Sequence, residues 1–210
     1  MPESSFTADD RAVSAVPSDD ELWLRAGRGD TEAFAALFER HGRSVYNFCF
    51  RRTADWAAAE DLMSIVFLEA WRQRGKELAR GMVRAWLFGI ATLVVRNRWR
   101  TQRRYRRALA RLPRESGTPD FADDVESRLA DESRMAALVE QLRRLPKREQ
   151  DVLSLCVWSG LAYEEAAVAL GIPVGTVRSR LSRARNRLRE LAEASGHEER
   201  GALPNPRSSQ

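Results

Sequence analysis

Residues 163–181 read YEEAAVALGIPVGTVRSRL, and the spacing inside that stretch decides the fold. Ala167 is small where two helices must cross closely. Gly171, four residues later, can take the left-handed conformation that ends a helix. Pro173 disfavours helical geometry at Ile172 and keeps the connection open. Val177, six residues after the glycine, returns to the core. Together they predict a helix, a tight turn and a second helix. Glu164 and Glu165 fit the first turn of the leading helix, where acids favour the dipole.

The second helix has two distinct sides. Val174, Val177, Leu181, Ala184, Leu188 and Leu191 recur at intervals of three and four, one buried stripe. At 100° per residue the opposite side carries Thr176, Ser179, Ser182, Arg183 and Asn186, flanked by Arg178 and Arg189. An apolar back with a Ser/Thr/Arg front suits the DNA major groove, where short polar side chains meet base edges and arginines hold phosphates. Thr176, Arg178, Ser179, Ser182 and Arg183 are the candidate DNA-reading residues. The plainer reading, an amphipathic helix in a bundle, accounts for the stripe but not for turn, spacing and front-face chemistry together. Upstream, Val152, Leu153, Leu155 and Cys156 supply another apolar face.

Outward from this stretch, the charge is segregated. The 210 residues sum to a formal charge of only +5. Yet residues 96–114 hold nine arginines and no acid, residues 178–189 hold six arginines and no acid, and residues 115–132 hold seven acids and one base. Lys76 and Lys147 are the only lysines, and arginine is the better residue for forked contacts to phosphate and guanine. A charge run by itself is an ordinary solvated helix face; two on separate helical segments suit a polyanion. In the first run, Arg96, Arg100, Arg103 and Arg104 are interleaved with Trp99 and Tyr105. Exposed aromatics there offer platforms for unstacked bases. Trp99 admits two readings, a platform of this kind or a plug in the bundle core.

The remaining pattern is helical. Asp30 is a suitable N-cap for TEAFAALFERHGRSVYNFCF, in which Phe34, Leu37, Phe38, His41, Val45 and Phe48 form one stripe. A helix follows over about 57–74 with Leu62, Ile65, Val66 and Trp71 on its core side, and a third runs from Val83 into the basic run. Residues 113–127, PRESGTPDFADDVES, read as a flexible acidic linker. The expected organisation is all-α: an acidic disordered tail over 1–18, a helical domain over 19–112, the linker over 113–127, a helix-turn-helix domain over 128–194, and a disordered tail over 195–210.

Other classes fall away. Cys49 and Cys156 cannot make a disulfide framework or a four-ligand zinc site, and with only His41 and His197 a histidine metal site or triad is not expected. The longest apolar run, 85–95, is well short of the ~20 residues that span a bilayer, and MPESSFTADD is acidic and lacks a signal-peptide core. A soluble, cytoplasmic chain without cofactor, metal or small-molecule substrate is expected. Adjacent carboxylates such as Glu60–Asp61 do not share a helix face, so enzyme chemistry is not expected either.

Four segments, AEDLMSIVFLEAW (59–71), AWLFGIAT (85–92), LPKREQDVLSL (145–155) and YEEAAVALGIPVGTVRSRLSRAR (163–185), resemble the extracytoplasmic-function sigma factors, compact specificity subunits of bacterial RNA polymerase. The resemblance spans about residues 22–192. It implies that the first domain is sigma-2-like, with 59–71 on the β′ clamp helices of core polymerase through Asp61 and Ser64. It implies that 85–100 and the loop before it open the minus-10 element, and that the second domain reads the minus-35 element through Arg178, Ser179 and Arg183. Promoter DNA and core polymerase are the implied partners, and an anti-sigma factor is a further candidate. The chain departs from the family at Ser64–Ile65, where Gln-Glu is common, and at Leu93 and Asn97, where Asn and Asp are usual. The residues alone also allow a stand-alone helix-turn-helix regulator that binds DNA as a dimer.

Overall fold

The computed structural model describes residues 16–109 and 125–201. Within them the order is α1 (Asp19–Gly27), α2 (Thr31–Thr53), α3 (Trp56–Arg72), α4 (Val83–Leu109), α5 (Val125–Arg143), α6 (Lys147–Leu153), a π-helical turn (Ser154–Trp158), α7 (Tyr163–Leu170) and α8 (Val174–Gly201). Among the described residues no strand occurs, and none of their helices is long and apolar enough to cross a membrane.

The starts of the first three helices are fixed by side chains that satisfy otherwise unpaired amides. Ser18 and Glu21 form a reciprocal capping box on α1. Asp30 accepts from the Ala33 amide at 3.0 Å, and Asp55 from the Ala58 amide at 2.8 Å. Between α2 and α3 the chain reverses at Ala54, which sits in the left-handed region at φ 55°. The first core gathers Leu37, Val45 and Phe48 from α2, Leu62, Val66 and Phe67 from α3, and Val83, Leu87, Phe88, Ala91 and Val95 from α4. Trp23 of α1 packs on Trp86 with centroids 4.7 Å apart while its indole nitrogen donates to the Lys76 carbonyl.

In the second half the helix-turn-helix closes as its sequence predicts. Gly171 adopts φ 62°; its amide donates to the Val168 carbonyl, and the Ile172 amide reaches back to Ala167 at 3.0 Å. That pair of bonds is a Schellman closure. Val177, Leu181 and Ala184 of α8 are fully buried, and Leu188 partly.

Three details differ from the sequence expectation. The sequence pattern puts Ile65 on the core side of α3, but it is 48% exposed, because Leu62, Val66 and Ala70 define a stripe that turns it outward. Phe38 also sits at the edge of its stripe, 40% exposed. Helix α5 begins at Val125, inside the expected linker, and α8 runs to Gly201, past 194; linker residues 113–124 and the outer parts of both tails lie outside the described residues.

The two halves are docked on one another rather than held apart. Helix α4 crosses α7 so closely that a Cβ at Gly89 would stand 2.7 Å from the Ala169 carbonyl oxygen. Arg84 donates to the Ser159 carbonyl and Arg51 to that of Trp158, while Glu132 of α5 accepts from the Trp56 amide. The buried apolar residues of both halves belong to one continuous cluster.

Candidate nucleic-acid interface

Helix α8 carries the first candidate surface. Its buried stripe rests on α6 and α7, so rotation about the helix axis is fixed and the front side faces outward. Arg178, Ser179, Ser182, Arg183 and Asn186 are all exposed, and Thr176 is half-buried at the helix start. The hydroxyl of Ser179 donates to the Thr176 carbonyl, and Arg183 Nε donates to the Ser179 carbonyl at 3.2 Å. Each keeps its remaining donors and acceptors for a ligand. The Arg178 guanidinium stands 5.8 Å from the Tyr163 ring centroid. A shallow groove beside it is lined by Tyr163, Arg178, Ser182, Arg185, Asn186 and Arg189. The structure thus brings the front-face residues onto one surface and adds Tyr163 and Arg185. The i, i+7 spacing of Arg178 and Arg185 carried the signal for the second of these.

The basic run on α4 has a different setting. Arg96 donates to the Asp151 carboxylate through Nε at 3.0 Å and Nη2 at 2.5 Å. From α2, Arg52 places its Nη2 3.1 Å from the other oxygen of Asp151, an ion pair not aligned as a hydrogen bond, and its Nη1 donates to Ser154 Oγ at 3.0 Å. Arg52 is 4% exposed and Asp151 wholly buried. Burial pulls the Arg52 pKa down, and the Asp151 carboxylate opposes that shift. One carboxylate of the second half is thus clasped by two arginines of the first.

Trp99 is half-buried against the core with the Arg143 guanidinium 4.1 Å from its centroid. Arg100 and Arg103 are exposed and line, with Arg96 and Trp99, a cleft of about 450 Å³ between the halves. Arg104 is exposed and does not line it. Arg52 and Asp151 carried no sequence signal, since their meeting spans nearly a hundred residues and both types are usually solvated.

Asp61 and Ser64 stand exposed on the outer side of α3 with Ile65 and Leu68, both about half exposed. A neighbouring groove between α2 and α3 is lined by Phe38, Gly42, Tyr46, Glu60 and Met63. This face mixes carboxylates with apolar side chains, as a protein-docking surface does. Cys49 is buried, and burial pushes its thiol up to about 12, so it holds its proton; Cys156 is half-buried. Among the described residues no group of His, Cys, Asp and Glu could hold a metal.

Comparison with known proteins gives two family matches in the same order as the two halves. Sigma-70 region 2 matches residues 37–105 and Sigma-70, region 4 matches residues 135–188. The ECF RNA polymerase sigma factor SigC of Mycobacterium tuberculosis is 31% identical over 87% of this chain and 96% of its own length. Among solved structures, CnrH in complex with the cytosolic domain of CnrY is 25% identical, with a TM-score of 0.65 over 85% of this chain and 99% of CnrH. The sigma factor RpoE from Bartonella quintana, in complex with the anti-sigma factor NepR, is 28% identical, with a TM-score of 0.54 over 77% of this chain and 98% of that one.

Proposed function

Because this chain belongs to the extracytoplasmic-function group of the sigma-70 family, it is an RNA polymerase sigma factor, and we propose that its two Arg-rich helices divide the promoter between them. In this reading residues 128–194 form the domain that reads the upstream element, with Thr176, Arg178, Ser179, Ser182 and Arg183 entering the major groove. The observation that carries it is the fixed, outward front of α8 on a closed helix-turn-helix. Residues 19–112 form the domain that holds core polymerase through Asp61, Ser64 and their exposed neighbours. Arg96, Trp99, Arg100, Arg103 and Arg104 take the minus-10 element. The partners are core polymerase, at its β′ clamp helices, and promoter DNA, met in the cytoplasm.

Melting then follows from differential binding. Opening costs a few kcal/mol per unstacked base, and stacking on an aromatic ring with arginines on the backbone returns about 1–3 kcal/mol per base. In the docked form Arg96 is committed to Asp151 and Trp99 to Arg143. The two halves must therefore separate before α4 can take DNA. An anti-sigma factor, of the kind bound to the Bartonella neighbour, is the partner expected to oppose that separation.

The test is run-off transcription by core polymerase with and without the full chain, on promoters from its own genome. Holoenzyme formation and promoter-specific transcripts are expected. Tight palindrome-specific DNA binding by a dimer, with no association with polymerase, would overturn the proposal in favour of a stand-alone regulator.

A further inference from the structure

The cleft between the halves has chemistry that promoter binding does not explain. Its walls carry Arg52, Arg96, Arg100 and Arg103 from the first half and Arg143, Lys147 and Arg148 from the second, against a single carboxylate, Asp151. Asp151 is taken up by Arg52 and Arg96, and Arg143 is paired with Glu140 at 3.1 Å. Arg100, Arg103, Lys147 and Arg148 face no carboxylate among the described residues. All four are exposed. Docking thus gathers four uncompensated cations around one concave space, where their like charges repel one another. A multivalent anion seated between them would turn that repulsion into attraction.

The size and the remaining walls narrow the class of anion. About 450 Å³ is the volume of a small-molecule site and takes a nucleotide rather than a duplex. Trp99 lines it with a flat, half-buried ring. Two amides line it as well, Gln102 and Gln150; the Gln150 nitrogen is committed to the Leu145 carbonyl at 2.8 Å, which leaves its oxygen as an acceptor. Phosphate-binding cations, an aromatic face and amide groups together are the inventory of a nucleotide site. Lys147 and Arg148 lie on α6, on neither promoter-facing helix, so the set is complete only while the halves are docked.

We propose that this cleft binds a nucleoside polyphosphate. The phosphate chain lies on Arg100, Arg103, Lys147 and Arg148, the base lies against the stacked pair of Arg143 and Trp99, and occupancy holds the halves together. By keeping α4 covered, the ligand would slow promoter capture. That consequence rests on the assignment of α4 to the promoter; the binding itself does not.

The experiment uses the full chain without polymerase, in magnesium-free buffer at moderate salt, with thermal unfolding and calorimetry as readouts. GTP and ATP are expected to bind saturably and raise the unfolding midpoint by about 5–10 °C at a hundredfold excess over Kd. Inorganic tripolyphosphate should bind more weakly, and orthophosphate should shift nothing. The double substitution Lys147→Ala, Arg148→Ala, at two exposed positions, should weaken nucleotide binding at least tenfold while leaving the ligand-free midpoint unchanged or slightly raised, since two mutually repelling cations are gone. Gly89→Ala keeps every cleft side chain but forces α4 away from Ala169, and should weaken binding several-fold. Nucleotide binding that survives both variants would overturn the cleft assignment. Equal affinity for tripolyphosphate would overturn the nucleoside class. Binding of a short single-stranded oligonucleotide without any binding of GTP or ATP would assign the surface to nucleic acid instead.

Discussion

Helices α4 and α8 are built from the same materials and lie in opposite situations. Each has an apolar stripe on one side and a dense run of arginines beyond it. On α8 Arg178, Ser179, Ser182 and Arg183 face solvent beyond a turn closed by Gly171, and the hydrogen bonds of Ser179 and Arg183 are local to the helix. On α4 the corresponding surface faces the other half of the molecule: Arg96 is held by Asp151, and Trp99 lies under Arg143. A run of arginines therefore does not by itself mark an open DNA-binding surface. What separates the two helices is where their buried carboxylate stands: Asp151, which holds Arg96 of α4, belongs to the other half, whereas Glu149, 3.6 Å from Arg187 of α8, belongs to the same half.

The strongest way to break that comparison is to remove the carboxylate. Asp151→Ala would leave Arg52 buried with its charge unpaired, a loss of about 3–5 kcal/mol, and Arg96 would lose its partner at the same time. Separation of the halves lets both arginines reach water, so separation is the expected outcome. It is measured as an increased radius of gyration in solution scattering and as faster amide exchange along α4 and α7. A chain that stays docked with unchanged exchange would show that the apolar contact alone holds the halves. Next in size is the double substitution Arg178→Ala, Arg183→Ala on the open helix. It should cost about 2–4 kcal/mol in upstream-element binding, read as a loss of transcription from promoters that depend on that element. Because both residues are exposed, the unfolding midpoint and the association with polymerase should stay near wild type. Loss of polymerase binding would refute the division of labour between the halves.

How much of this the sequence disclosed follows the range of the interactions involved. The helix-turn-helix was legible because its determinants are local: a glycine four residues after an alanine, a proline two residues later, a valine at the sixth position. So were the caps at Asp30 and the stripe on α8, and the front-face residues of α8 emerge on one exposed surface. The setting of α4 was not legible, since it depends on Arg52 and Asp151, which meet across nearly a hundred residues and whose residue types usually signal solvent. Gly89 is a similar case. In sequence it is a helix-weakening residue inside AWLFGIAT; only the 2.7 Å approach of the Ala169 carbonyl to a Cβ placed there supplies the reason for it. Ile65 was misplaced because an apolar residue beside a stripe is assigned to the core by composition, whereas the helical rotation set by Leu62 and Val66 exposes it.

Gly89→Ala should sharpen the comparison by moving α4 toward the situation of α8. Alanine is the better helix former by about 1 kcal/mol, so α4 itself should gain, while its Cβ displaces the α7 backbone and weakens docking. Freed arginines should raise non-specific DNA binding several-fold at low salt and steepen its salt dependence, with no change in the effect of the Arg178 and Arg183 substitutions. Unchanged DNA binding by a variant shown to be more open would mean that α4 arginines are not phosphate contacts.

The smallest effect concerns Trp99, whose ring packs on the core and carries the Arg143 guanidinium on its face. A partly exposed cation–π contact is worth about 0.5–1 kcal/mol, so Arg143→Ala should lower the unfolding midpoint by only a few degrees. The informative measurement is its coupling to Asp151→Asn. Arg143 and Asp151 stand on different helices, α5 and α6, and both face α4. If docking is a single cooperative event, removing either contact weakens the other, and the double variant loses less than the sum of the two single losses. Strict additivity would instead mean that Trp99 and Arg143 keep their contact whether or not the carboxylate holds Arg96, leaving the basic surface of α4 partly covered even after that ion pair is gone.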